Sequence, residues 1–336
     1  MAKVLVTGTS GFIGSHLARA LVDRGDEVLG LDKRPALQPI EGAELVVCDL
    51  LDLPGLTKTV KSFRPELLFH LAARTDLDEQ VDLEVGYAPN ITGVSNLAGA
   101  IRETQGVQRL ICTSTQLVCP IGYTPRHDED YQPTSLYGKS KVLTEQIIRR
   151  DDGGGSSWCL VRPTTVWGPR MNPQYLRFFR MVRNGRYFHV GGGPTVKTYG
   201  YVANTVQQLL KLADAPDERV YRRVFYLADY ESILLEAWAE AFQRELGGPP
   251  IRTVPYAIAK AGALAGDILN AVGLQQFPFN SWRLNNVLTP INVNLEPIRE
   301  VCGKLPYTMD QGVAETTSWI REIWADSEHV SAPTTN

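Results

Sequence analysis

Residues 4–32 read VLVTGTSGFIGSHLARALVDRGDEVLGLD: an apolar run, a turn punctuated by glycine, an amphipathic stretch, and a second apolar run closed by a carboxylate. Val4 to Thr7 predicts a strand. Phe12, Ile13, Leu17, Leu21 and Val22 share one face of a helix that Gly25 stops, and Glu27 to Asp32 predicts a second strand. Gly8, Gly11 and Gly14 sit where the chain leaves the first strand, turns tightly and opens the helix with backbone N–H groups aimed outward. Residues without a Cβ let an anionic group come close to that backbone. Asp32, about 20 positions beyond the glycines, suits the hydroxyls of an adenosine ribose. The unit therefore reads as a dinucleotide site. A carboxylate repels a 2′-phosphate, which favours NAD over NADP; Lys33 and Arg34 partly offset that repulsion and leave NADP open.

The same strand-and-helix alternation continues. Leu45 to Cys48, Leu67 to Ala72, Arg109 to Cys112 and Trp158 to Val161 are short apolar runs of the kind found in buried parallel strands, with helical stretches over Tyr87 to Glu103 and Tyr137 to Arg150. The pattern predicts an α/β fold, a Rossmann-type doubly wound parallel sheet, with a smaller, mixed C-terminal domain. Residues 1–168 with about 200–228 are assigned to the dinucleotide domain. Residues of about 169–199 and 229–325 are assigned to a substrate domain, and the polar tail 326–336 to disorder. Gly153 to Ser157 reads as a flexible linker.

The 336 residues, 43% of them hydrophobic, suit about two domains. A formal net charge of -3 offers no basic field for nucleic acid. Five scattered cysteines show no paired metal spacing and read as reduced core thiols of a cytoplasmic protein. No secretion signal is evident at the start. Tyr256 to Val272 is strongly apolar but carries Lys260 and Asp267, so it reads as a packed helix rather than a membrane span; peripheral membrane contact is the alternative.

In such sheets ligands gather beyond the carboxyl ends of the strands, which brings Gly8, Asp32, Asp49, Ala72, Thr113 and Pro163 together. Tyr137 and Lys141 stand four apart at the head of a helix, hence on one face. A phenol with a pKa near ~10 is a poor base at neutral pH unless a cation stabilises its phenolate. Lys141 supplies that cation. Thr113, Ser114 and Thr115, at the end of a neighbouring strand, offer hydroxyls to a substrate oxygen whose charge changes as hydride moves.

VTGTSGFIGSHL, Asp32, Cys48-Asp49-Leu50, His70-Leu71-Ala72-Ala73, Asn90 with Gly93 and Asn96-Leu97, TSTQLV, Tyr137-x-x-x-Lys141 and LVRPTTVWGP resemble the extended short-chain dehydrogenase/reductases. Among these, the chain is similar to the NAD-dependent nucleotide-sugar epimerase/dehydratase family, densely over residues 1–168 and thinly to Trp324. The resemblance implies that Tyr137 is the general acid/base, Lys141 its pKa-lowering partner and Thr115 the substrate-oxygen donor. It implies an NAD site formed by Gly8, Gly11, Phe12, Ile13, Gly14, Asp32, Asp49, Leu50, Leu71, Ala72, Ala73, Asn90, Thr113, Tyr137, Lys141 and Pro163, with Asp49 at the adenine amino group and Lys141 also reaching the nicotinamide ribose. Asn90 matches an asparagine that steadies the active-site helix; a plain capping amide is the other reading. A homodimer is expected by analogy alone.

Departures narrow the chemistry. Gln116 and Leu117 follow Thr115 where the family's dehydratases place an acid pair, and Cys119-Pro120 replaces Tyr-Gly, with Cys119 reading as a small apolar filler. On the substrate side, Gln116, Thr165, Lys197 and Arg283 are the candidates. Lys197 and Arg283 read equally as phosphate contacts or as solvated surface charges. The expected function is NAD-dependent epimerisation of a nucleotide-linked sugar. The alternatives are a net NAD(P)-dependent dehydrogenase or ketoreductase on another, more apolar alcohol and a non-catalytic NAD sensor.

Overall fold

A computed structural model of the chain describes every residue except Leu37, Pro173, Gln174, 272–278 and 331–336, and only the backbone of 326–330. The chain divides into two compact units. One comprises Met1–Val166, Val202–Tyr230 and Val293–Pro306, the other Trp167–Tyr201, Glu231–Asn292 and the C-terminal stretch from Tyr307.

The first unit is built on a seven-stranded sheet. Its strands are β1 (Lys3–Thr7), β2 (Glu27–Asp32), β3 (Ala43–Val47), β4 (Leu67–His70), β5 (Arg109–Thr113), β6 (Ser157–Pro163) and the late strand Arg223–Leu227. The spatial order is Arg223–Leu227, β6, β5, β4, β1, β2, β3, and every pair is parallel. The order reverses between β1 and β4, which is where doubly wound sheets open a ligand crevice.

Strand alternation sorts the core into two layers. Val4, Val6, Phe69 and Ile111 point to the side covered by α1 (Phe12–Asp23) and helix Val202–Asp214. Leu5, Leu68, Leu110 and Leu160 point to the other, under α2 (Leu53–Phe63), helix Thr92–Thr104 and helix Leu136–Arg150. Strands buried on both faces need continuous apolar runs, which is why these segments show no polar alternation. Each fully buried Val or Leu contributes about 1.5–3 kcal/mol of transfer free energy.

Four expectations differ from the structure. The tail does not begin at 326: helix Met309–Val330 runs on through Val330, and 331–336 lie outside the described residues. Residues 293–306, assigned to the second domain, belong to the first unit, because Ile298 and Cys302 of helix Glu296–Cys302 bury in its core. Gly153 to Ser157 is no linker. Gly153 and Gly154 are buried with positive φ, and a Cβ at Gly154 would stand 2.5 Å from the Ala98 carbonyl oxygen. The stretch Tyr87 to Glu103 is broken at Asn90 into a 3-10 turn, Ala88–Asn90, and helix Thr92–Thr104.

The second unit is mixed, with helices and two-stranded pairings: Phe188–Val190 runs parallel to Arg252–Val254, and Val196–Lys197 antiparallel to Ile233–Leu234. An aromatic cluster of Trp167, Phe178, Phe179, Trp238 and Phe242 forms its interior. Helix Tyr256–Ala271 buries only Ala259, Ala263 and Gly266, the stripe facing Val190 and Leu284.

Candidate active site

The glycine turn lies at the sheet's reversal point. Gly8 has φ +81°, and a Cβ there would stand 2.6 Å from the Ala72 nitrogen at the end of β4. A Cβ at Gly14 would stand 2.1 Å from the Gly8 carbonyl oxygen. Only glycine closes this turn between β1 and β4, and α1 opens directly after it from Gly11, with no side chain capping its first N–H groups.

Asp32 braces the same turn, accepting from the backbone N–H of Ser10 (3.1 Å) and of Arg34 (3.2 Å), and its oxygens keep lone pairs for further donors. Asp49 is exposed and accepts from Leu51 N, while Leu50 is buried with its carbonyl held by Asn96 Nδ2 at 2.9 Å. Leu71, Ala72, Ala73 and Pro163 are partly exposed at strand ends, as are Phe12 and Ile13 at the head of α1. The residues present fit a dinucleotide: a glycine cradle that a Cβ would fill, a carboxylate at the tip of β2, and at the end of β5 a buried Thr113 hydroxyl without a protein partner.

Helix Leu136–Arg150 carries Tyr137 and Lys141, the candidate acid/base pair. Ser135 caps it by accepting from Gly138 N at 3.0 Å. A Cβ at Gly138 would stand 2.4 Å from the Leu117 carbonyl oxygen, so glycine lets the 3-10 turn Gln116–Val118 rest against the helix head. That contact packs the turn that follows Thr115 against the residue next to Tyr137. The Thr115 side chain accepts from Leu117 N at 3.2 Å, leaving its hydroxyl proton to donate elsewhere. Tyr137 is 9% exposed and Lys141 1% exposed. Burial pulls the Lys141 ammonium below its ordinary pKa, and neighbouring Cys112 and Glu145 oppose that pull. A cation held in so poorly solvated a place interacts strongly with any anion formed next to it.

Asn90 links the loop after β4 to helix Leu136–Arg150. It is fully buried, accepts from Arg74 N at 2.8 Å, and donates to Arg74 O and to Ser140 Oγ, both at 2.9 Å. Thr144 Oγ1 returns a hydrogen bond to Asn90 O at 2.7 Å. The loop after β4 is thereby stitched to the helix that carries Tyr137 and Lys141.

Two buried groups escaped the sequence reading. Glu145, one helical turn beyond Lys141, accepts from Ser114 Oγ (2.6 Å), Tyr131 OH (2.8 Å) and both Nε and Nη2 of Arg162 on β6 (2.8 Å each). Burial works against the Arg162 charge, but the hydrogen bonds and charge of Glu145 outweigh it and hold the guanidinium protonated. His70, at the end of β4, places Nδ1 2.8 Å from Thr7 Oγ1 and buries Nε2 without a partner. Burial, then the Lys141 charge, drive its pKa down to about 3, so the ring is neutral.

The substrate candidates fare differently. Gln116 and Thr165 are partly exposed, the first in the turn after Thr115, the second just past β6. Lys197 is not available to a phosphate: it is 1% exposed, and its ammonium donates to Asn286 O (2.8 Å) and Thr289 O (2.6 Å) at the end of helix Ser281–Leu288. Arg283 is exposed on the first turn of that helix. All five cysteines are buried free thiols, and Cys119 donates to Asp130 O. Among the described residues no group of three or more His, Cys, Asp or Glu is placed to hold a metal ion.

Comparison with known proteins follows the same lines. The model of the NAD dependent epimerase/dehydratase family matches residues 4–228. N-acetyl-alpha-D-glucosaminyl-diphospho-ditrans,octacis-undecaprenol 4-epimerase of Escherichia coli O157:H7 is 24% identical, the match covering 94% of this chain and 95% of that protein. A 3 beta-hydroxysteroid dehydrogenase/Delta 5-->4-isomerase of Mycobacterium tuberculosis is 27% identical over 76% of this chain and 74% of its own. Among solved structures, MoeE5 in complex with UDP-glucuronic acid and NAD has the same fold, with a TM-score of 0.72, 22% identity and coverage of 96% and 99%. The chain belongs to the NAD-dependent epimerase/dehydratase family, enzymes of the extended short-chain dehydrogenase/reductase type whose cofactor is NAD.

Proposed function

We propose that this protein is an epimerase of a nucleotide-activated sugar. The observation that carries the reading is the turn after Thr115. It presents Gln116 and Leu117, neither of which can deliver a proton to a leaving hydroxyl, beside an intact Tyr137, Lys141 and Thr115. Such a site can oxidise and re-reduce one carbon but has no acid for dehydration. Bound NAD supplies reversible hydride acceptance.

In this reading the Tyr137 phenolate, stabilised by Lys141, takes the proton of a sugar hydroxyl and later returns it. The Thr115 hydroxyl donates to the same oxygen and steadies the carbonyl between the two events. The keto sugar turns over between oxidation and reduction, so the net redox change is zero. Asn90 and the Gly138 contact keep donor and base in register. The similarity to an epimerase of a diphosphate-linked sugar supports this reading. Incubation with UDP-, GDP- and dTDP-sugars, followed by NMR of the sugar products, tests it. New epimers without accumulated NADH support the proposal, and unchanged sugars with net NADH release contradict it.

One observation favours a second reading. With Lys197 committed to a helix end, a phosphate contact foreseen on the substrate side is missing, and the steroid dehydrogenase relative acts on an apolar alcohol. A net dehydrogenase or ketoreductase on such a substrate would change the nicotinamide absorbance stoichiometrically.

A further inference from the structure

Helix Tyr256–Ala271 is apolar on the side that faces away from its own unit. Its inner stripe, Ala259, Ala263 and Gly266, follows the i, i+4, i+7 spacing of a packed face. The opposite stripe, Ala257, Ala261, Leu264, Ala265 and Ile268, is exposed throughout, with Ile268 at 64% and Ile258 on its flank at 62%. A surface helix ordinarily presents polar side chains there. Helix Ser281–Leu288 is tied to it by Ser281 N donating to Asp267 Oδ1 at 3.2 Å, and adds exposed Trp282 and Val287.

The charges of this segment are one-sided. From Arg252 to Leu288 the cations are Arg252, Lys260 and Arg283, all exposed. The one carboxylate, Asp267, is partly buried and engaged by Ser281. The chain as a whole carries -3, whereas this segment, with three cations against one carboxylate, is net positive because it has few acids where its apolar side chains are bare.

We propose that this helix pair seats on the surface of an anionic lipid bilayer. Leu264, Ile258 and Ile268 would enter the acyl boundary, while Tyr256 and Trp282, each an apolar ring with a polar edge, suit the headgroup level. Lys260, Arg252 and Arg283 meet the lipid phosphates. A second copy of the chain fits less well, because a two-fold interface through this face brings like cations together. No helix among the described residues is long and apolar enough to cross a membrane, so the attachment is peripheral. The proposal stands whichever substrate the active site takes.

The test is co-sedimentation of the full chain with phosphatidylcholine vesicles, with and without phosphatidylglycerol. Binding should appear with the anionic lipid and weaken as salt rises. Ile268→Asp, and separately Lys260→Glu with Arg252→Glu, should each weaken binding by about tenfold or more while leaving the thermal midpoint and NAD binding unchanged. Three outcomes overturn the proposal: no partition onto either vesicle, partition that these variants do not alter, or sedimentation-velocity self-association that Ile268→Asp abolishes without any vesicle binding.

Discussion

Glu145 and Arg162 face each other across the boundary between helix Leu136–Arg150 and β6, joined by two 2.8 Å hydrogen bonds and both at most 1% exposed. The carboxylate also holds Ser114, the residue between the two threonines at the end of β5. One buried pair thus fixes helix, strand end and Thr115 relative to one another. Removing one partner strands the other charge in the interior. Glu145→Ala should therefore lower folding stability by about 3–5 kcal/mol, read from denaturant midpoints, and Glu145→Gln by less, because its amide keeps part of the hydrogen bonding.

In the proposed mechanism Tyr137→Phe removes the proton carrier while keeping the aromatic ring. Turnover is expected to fall about 10²–10⁴-fold or more, with NAD affinity and thermal midpoint close to those of the parent. Lys141→Met keeps the phenol but not the cation. Its remaining activity should rise toward higher pH as the phenol ionises unaided, a displaced profile that a structural defect would not produce.

His70 makes the fold sensitive to acid. Its folded pKa of about 3 lies below the ordinary value of 6.5. Between these values the unfolded chain binds a proton that the folded chain refuses, so this stability is fully present above about 6.5 and is lost as the pH falls toward 3. Urea unfolding at a series of pH values should show that loss, and His70→Asn should flatten it.

Lys197 is expected to affect stability rather than substrate binding. Burial brings its pKa down to about 8, and its ammonium serves two carbonyls at a helix end. Because the folded state gives up this proton more readily, the burial penalty eases as pH rises from about 8 toward 10. Lys197→Met should abolish that rise, lower the midpoint at neutral pH by leaving Asn286 O and Thr289 O unpaired, and leave KM for a nucleotide sugar unchanged.

The parts of this architecture legible from sequence were those governed by local rules. The turn at Gly8 needs a positive φ and a close backbone approach, and the four-residue spacing of Tyr137 and Lys141 fixes a shared helical face. The strands were legible because burial on both faces demands unbroken apolar runs. What stayed hidden depends on partners distant along the chain. Glu145 lies among Lys139, Lys141, Arg149 and Arg150 and reads as one more surface charge until β6 brings Arg162 against it. Lys197 reads as a free cation because its two carbonyl acceptors come about 90 residues later. The three glycines from Gly153 signal flexibility by composition, whereas contacts with Trp158 at Gly153 and with Ala98 at Gly154 make glycine a steric requirement at those two positions.

In the proposed mechanism Tyr137, its phenolate stabilised by Lys141, shuttles a proton at a carbon that is oxidised and then reduced with no net redox change. Following the nicotinamide absorbance band through complete turnover of a nucleotide sugar, with product NMR on the same sample, tests it directly. The expected record is an absorbance rise that stays below the enzyme concentration and returns to baseline as the epimer reaches equilibrium. Steady accumulation of NADH in step with substrate consumption would contradict it.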